Sequence, residues 1–241
     1  MAVYDKIGEK YIKNVSLKRT LMYDPAFVSV LGNIEGKSVM DVACGEGYYT
    51  RLMKNLGAVE LVGIDISSKM IDLAKSNPEN EGIHFYIGDA INLVKIGEFY
   101  IVTGTLLLHY SKTKDELFKM CTNLYNNLKE GGKFVALNNN PRSPLQPWAK
   151  YGILVETVKD TSLREGDEIK IIFLKDGQED VSFVNYYWSE QTYREALSQA
   201  GFRDIKFYDA KISKEHLTKE EREFWKEYIE QPGLMVIECF K

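Results

Sequence analysis

An apolar run that enters a glycine turn constrains this chain more than any other feature. Val39 to Ala43, within SVMDVACGEGYYT (Ser38 to Thr50), reads as a buried strand with one acid, Asp41, inside it. It meets Gly45 and Gly47 and then a helix opening near Tyr48. Glycines there let the backbone approach a ligand, and the helix N-terminus beyond offers free N–H groups. A second apolar run, ELVGID, ends in Asp65, where an acid would meet the hydroxyls of a ribose. The pair predicts half of a nucleoside site.

From Ser38 onward, strand-like and helix-like segments alternate. A helix is expected over Tyr48 to Leu56 and another over Ser68 to Ser76, capped by Ser67 or Ser68. IHFYIGD, FYIVTGTLL and KFVALNN read as strands. The helix between the last two, Lys114 to Leu128, carries Leu117, Cys121, Leu124 and Leu128 on one face, and the glycines of KEGGK are expected to end it. After Asn138 the rhythm breaks into the loop NNNPRSPLQPW. Two β-rich runs, EIKIIFL and VSFVNYYW, then flank Asp176-Gly177, a hairpin signal. A helix over Glu190 to Ala200, a strand at Asp204 to Tyr208, a charged helical stretch KEHLTKEEREFWKEYIEQ and a last strand GLMVIECF complete the chain. The fold class is therefore α/β: a Rossmann-like, doubly wound, mostly parallel sheet with an N-terminal helical lid and an inserted β-hairpin. It is read as a single domain over 1–241: lid 1–35, cofactor-binding core 36–138, loop and hairpin insertion 139–188, end of sheet 189–241. Val15 to Asn33 has apolar residues at helical spacing, and residues 4–33 either cover the core or close over the pocket.

At 241 residues, 44% hydrophobic and 27% charged, the chain suits one large domain, and its net charge of −4 argues against a nucleic-acid partner. Cys44, Cys121 and Cys239 have no paired spacing, which argues against zinc or a disulfide framework. No signal peptide and no run of about 20 apolar residues is visible, so no membrane association and a cytoplasmic setting are expected.

Each candidate site residue has a chemical reason. Asp41 is a carboxylate in a buried run: either it orders the glycine loop or reaches a ligand ammonium through water, or backbone N–H groups satisfy it. Gly45 and Gly47 form G-x-G, and the third glycine of a dinucleotide fingerprint is replaced by Thr50, which favours a cofactor without phosphates. Asp65 can accept both ribose hydroxyls, or else cap the next helix. Ile66 suits an adenine face. Met70, on the following helix, is carried with the cofactor candidates although its position reads as core. Asp89 suits an adenine amino group and the Ala90 N–H a ring nitrogen; otherwise Asp89 forms a turn. TGTLLLHY should line the floor near the reacting centre, with Thr105 beside the cofactor, and His109 and Tyr110 as polar groups for substrate. His109 is the candidate general base, against a plain structural histidine. Tyr48, Tyr49, Trp148, Tyr151, Tyr186, Tyr187 and Trp188 supply rings that either stack on a flat heterocycle or pack the core.

With these residues in view, the chain resembles the class I S-adenosylmethionine-dependent methyltransferases. DVACGEG looks like their first motif, GIDIS the second, GDA the third and VTGTLLLHY the fourth; Cys44 departs from the usual Gly or Ala. The resemblance runs from about Lys37 to Asn138 and implies S-adenosyl-L-methionine as cofactor, with Ala43 among its contacts, a seven-stranded sheet and an antiparallel last strand, GLMVIECF. YDKIGEKY, GKSVMDVACGEGYYTR, DISSKMIDLA and PWAKYG are similar to the toxoflavin-biosynthesis group of small-molecule N-methyltransferases of secondary metabolism. That likeness implies Tyr4 and Tyr11 in a lid over cofactor and substrate, Tyr11 toward the cofactor and Tyr4 toward the substrate; Tyr151, among the rings above, is a further substrate candidate. The function expected is methyl transfer to a nitrogen, or an oxygen, of a small planar heterocycle, by a monomer or homodimer without a metal. The alternatives are a nicotinamide-dependent oxidoreductase and a non-catalytic nucleoside-binding protein.

Overall fold

The computed structural model describes residues 2–143, 148–157, 162–212 and 217–241. Parts of two expected segments, the 144–147 stretch of the proline-rich loop and the 214–216 start of the charged helix, lie outside them. The chain opens with α1 (Tyr4–Lys18), a π-helical turn (Arg19–Tyr23) and α2 (Asp24–Leu31). The single covering helix expected over Val15 to Asn33 is thus two helices, and α2 is the one buried in the core through Phe27 and Leu31.

The alternating part follows as β1 (Ser38–Val42), α3 (Tyr48–Asn55), β2 (Glu60–Asp65), α4 (Ser68–Ser76), β3 (His84–Ile87), β4 (Phe99–Thr103), α5 (Lys114–Asn126) and β5 (Leu128–Asn139). Ser67 and Thr113 cap α4 and α5 by accepting the N–H groups of Met70 and Glu116. The glycines of KEGGK do not end α5. The helix stops at Asn126, and Asn127, fully buried, receives the Ile96 N–H and donates to the Asn123 carbonyl. Those glycines lie inside β5, where its register with β4 shifts between Phe99 and Ile101. There Gly131 has φ +71°, and a Cβ on Gly132 would lie 2.7 Å from the Lys129 carbonyl.

Beyond β5 come β6 (Ile153–Thr157), β7 (Glu168–Lys175), β8 (Gln178–Tyr186), α6 (Glu190–Ala200), β9 (Arg203–Asp209), α7 (Lys219–Phe224), α8 (Lys226–Glu230) and β10 (Leu234–Phe240). The main sheet has seven strands in the order β3-β2-β1-β4-β5-β10-β9. The β3-to-β5 strands pair in parallel, and β10 runs antiparallel to both β5 and β9. The strand order reverses between β1 and β4, which places the ligand crevice at their C-terminal ends. The charged stretch breaks at Trp225 into α7 and α8. Asp176 (φ 52°) and Gly177 (φ 77°) make the tight turn expected between β7 and β8. The insertion is more than a hairpin, because β6 adds to it as a third strand, pairing Ile153 with Phe173 and Thr157 with Ile169.

Two large apolar clusters cover the two faces of the main sheet. A third, smaller one joins Tyr11 and Val15 of α1 to Met70 of α4 and to Phe173, Val181 and Phe183 of the insert. Among the described residues no helix is long and apolar enough to cross a membrane.

Candidate active site

The turn leaving β1 is held in left-handed backbone at Ala43 (φ 63°), Gly45 (φ 56°) and Gly47 (φ 85°). The two glycines serve different ends. A Cβ at Gly47 would lie 2.8 Å from both Asn80 and Phe85, so packing forbids a side chain there. A Cβ at Gly45 would meet nothing within 4 Å, so this backbone faces open space. The Gly45 N–H donates to Asp65 Oδ2 (2.9 Å), and the Ser67 N–H donates to Asp65 Oδ1 (2.8 Å). Burial raises the Asp65 pKa while those two N–H groups draw it back down. The turn and the acid, 20 residues apart in sequence, are one unit.

Asp41 lies beneath that turn, wholly shielded from solvent. It accepts the hydroxyls of Thr50 (2.7 Å) and Thr103 (2.8 Å), tying β1 to α3 and β4. Its partners are therefore side-chain hydroxyls rather than the backbone N–H groups considered from sequence. Burial outweighs them and lifts its pKa to about 6. Thr50, the residue in place of a third glycine, is used here to hold Asp41.

The β2–β3 register sets Asp65 beside Ile87, so Ile66, Asp89 and Ala90 follow at the same end of the sheet. Ile66 is 55% exposed, an apolar side chain offered to the crevice, and Ala90 is buried. Asp89 accepts the Ile91 N–H (3.0 Å) and the Asn92 amide (2.8 Å), a turn-forming role, and each of its oxygens keeps a second lone pair. Thr105 is buried just past β4. Met70 is enclosed between helices, its methyl 3.1 Å from where a Cβ of Gly8 would stand, so α1 rather than a ligand covers it.

The N-terminal helix is fastened over this end of the sheet. Asp5 accepts the Ser67 hydroxyl (2.7 Å), and the Tyr4 and Tyr110 hydroxyls hydrogen-bond to each other. Tyr11 meets Tyr4 edge-on at 4.9 Å and stacks on Phe173 at 5.9 Å. Burial raises the pKa values of Tyr4 and Tyr110, with Tyr11 and, last, the Asp65 carboxylate pushing both the same way.

Next to these rings opens a pocket of about 890 Å³, counting its mouth. The insert forms one wall and the ends of β4, β5 and β10 the other, with Tyr11 and Tyr110 between. No described residue lining it is an Asp, Glu, Lys or Arg. Of the aromatic residues singled out from sequence, Trp148, Tyr186, Tyr187 and Trp188 line it. Tyr48 instead bonds Asp24 (2.5 Å), and Tyr49 packs on Phe27. Tyr151 is not in the pocket wall: it stacks on Trp225 at 4.6 Å and donates its hydroxyl to the Phe224 carbonyl. Sequence reasoning missed Asn139, Asn140 and Asn185, which line the pocket; the NNN run closing β5 was the available signal for the first two.

His109 also lines the pocket, 2% exposed, with Nδ1 accepting a long hydrogen bond from the Asn139 N–H (3.5 Å). Burial drives its pKa down to about 3. An imidazole that weakly basic takes up little proton at neutral pH, which counts against the general-base expectation for His109.

Residues 39–132 match the family model described as a methyltransferase domain. A ubiquinone biosynthesis O-methyltransferase of Coxiella burnetii is 33% identical over 44% of this chain and 46% of its own. N-demethylindolmycin N-methyltransferase of Streptomyces griseus is 25% identical over 69% of this chain and 70% of its own. The chain thus spans about half the length of several of the curated relatives it matches. An S-adenosylmethionine dependent methyltransferase from Mesorhizobium loti superposes with a TM-score of 0.66 over 90% of this chain and 96% of its own, at 19% identity, and shares its fold.

Proposed function

We propose that this chain is an S-adenosylmethionine-dependent methyltransferase that methylates a nitrogen, or an oxygen, of a small planar molecule. The observation that carries the reading is the junction at Tyr110. On one side the Gly45–Asp65 unit faces a crevice, and on the other lies a pocket walled by aromatic and amide side chains.

The crevice suits a nucleoside without phosphates. Asp65 keeps free lone pairs for a diol, Gly45 lets the ligand approach the backbone, and Ile66 offers a flat apolar contact. Asp89 and Ala90 stand where the base would be read, while Thr50 takes the place a pyrophosphate site needs for glycine. The donor supplies an electrophilic methyl on a sulfonium, so the protein needs little acid–base machinery. Tyr4, Tyr11 and Tyr110 enclose the junction and exclude water, and the pocket wall holds the acceptor in line. Alignment of this kind contributes on the order of 7 kcal/mol or more. Methylation of nitrogen is supported by the name of the Streptomyces relative and by the toxoflavin-group likeness; the Coxiella relative's name keeps oxygen in play.

Thermal-shift titration against S-adenosylhomocysteine, S-adenosylmethionine and NAD tests the cofactor. The first two should raise Tm and NAD should not. Stabilisation by NAD alone would replace this reading with the oxidoreductase one. Release of S-adenosylhomocysteine over a panel of heterocyclic amines and phenols then tests the reaction.

A further inference from the structure

The inner face of the insert is a row of apolar side chains with one interruption. Val181 and Phe183 of β8 and Ile169, Ile171 and Phe173 of β7 belong to that row. Strand alternation puts Asn185 in it next, opposite Ile169, where the pattern calls for another Val, Ile or Phe. Asn185 is 1% exposed and lines the pocket, yet its Oδ1 has no hydrogen-bond partner. A buried amide oxygen left unpaired is unfavourable, and an apolar residue would fit the row better. The segment that carries it is also fixed: three residues on, the Trp188 indole N–H donates to the Ser111 carbonyl (3.0 Å), anchoring the end of β8 to the β4–α5 connection.

We propose that Asn185 is a specificity-determining residue for the methyl acceptor: its Oδ1 receives an N–H or O–H from the edge of an uncharged, planar molecule whose faces lie against the aromatic wall. This rests on the methyl-transfer reading and narrows its substrate class. An acceptor with a carboxylate or phosphate does not suit the pocket, because its described wall offers no cation and its one imidazole is held neutral by burial. An acceptor lacking the donor leaves the amide unpaired.

The test uses matched trios: indole, benzimidazole and 2-quinolone as N–H donors, their N-methyl derivatives, and their ring carboxylates. Binding is measured by calorimetry on protein saturated with S-adenosylhomocysteine. The N–H members should bind best and the carboxylates worst. Asn185→Leu should reduce the preference for N–H over N-methyl by about tenfold, the value of one buried hydrogen bond, with unchanged S-adenosylhomocysteine affinity. The same variant should keep or raise Tm, whereas a purely structural asparagine would lower it. Asn185→Asp, which retains the acceptor oxygen, should preserve the preference for N–H members and serves if the leucine variant folds poorly. An unchanged preference in Asn185→Leu, tighter binding of carboxylates, or no binding by any trio member to a protein that still binds S-adenosylhomocysteine overturns the proposal. Failure to bind S-adenosylhomocysteine at all would instead remove the methyl-transfer reading.

Discussion

Two carboxylates on the paired strands β1 and β2 are put to opposite uses, and each use has its own signature. Asp65 is pinned by two backbone N–H groups and borders open space. Asp65→Ala should weaken S-adenosylhomocysteine binding by roughly 2–4 kcal/mol, the loss of two charge-assisted hydrogen bonds, read by calorimetry on a variant whose Tm shows it folded. Asp41 is sealed in, and its folded pKa of about 6 lies above the usual carboxyl value. The folded chain therefore binds the Asp41 proton more tightly than the unfolded one. The Asp41 contribution to stability is full below about pH 4 and is lost as pH rises through about 6, by about 3 kcal/mol at about 1.4 kcal/mol per pH unit. Asp41→Asn, whose amide can accept from one threonine and donate to the other, escapes that decline. Urea unfolding should show its advantage over the parent growing between pH 4 and 6 and level above; a constant difference would dismiss the buried charge. The sequence revealed that Asp41 was an acid in a buried run but not which groups would satisfy it, since Thr50 and Thr103 converge only in three dimensions. His109 and Tyr151 show the same limit: each lies in a suggestive motif, while the burial of His109 and the stacking of Tyr151 on Trp225 arise only in the folded chain.

At the level of elements, the strand–turn–helix unit was legible because periodicity, glycine placement and the acid ending β2 agree with one another. The same unit separates binding from stability. Both glycines sit at positive φ, which costs a residue with a Cβ about 1–2 kcal/mol. Gly45→Ala should lose about that much stability and proportionately more affinity for S-adenosylhomocysteine, because its methyl projects into the crevice. Gly47→Ala adds a collision with Phe85 and Asn80, for a total of roughly 2–5 kcal/mol by urea denaturation. Equal stability losses would mean the two positions are not distinguished by packing. What was less legible had a common cause. β6 is not legible in the sequence because ILVET is short and acquires strand character only by pairing with β7. The KEGGK glycines read as a helix stop in sequence because a bulge inside β5 depends on β4 beside it. The Asp176-Gly177 turn needs no such partner, and its two residues alone specify it.

Across the whole molecule, the distribution of apolar clusters implies a hierarchy of opening. The seven-stranded sheet is covered on both faces by clusters that α1 and the inner row of the insert scarcely join. Those two are instead joined to each other, with Met70, through the third cluster of Tyr11, Val15, Phe173, Val181 and Phe183. Their further ties among the described residues include Asp5 to Ser67, Glu9 to Lys69 (3.1 Å), Asn14 and Lys10 to Asp180 (2.8 and 3.1 Å), the tyrosine pair Tyr4–Tyr110 and the Trp188 indole on the Ser111 carbonyl. A small cluster held by such contacts opens below the global unfolding free energy, as one unit. Under the methyl-transfer proposal, a unit that lies over Asp65 through α1 and forms one wall of the pocket through the insert is expected to admit both ligands when it opens. Native-state hydrogen exchange in low urea should show α1 and the β7–β8 pair exchanging together, while β1, β4 and β5 exchange only through global unfolding. Saturating S-adenosylhomocysteine should slow exchange in α1 and β7–β8 in parallel. Exchange of α1 at the rate of the central strands, or its uncoupling from β8, would show that the third cluster does not act as a unit.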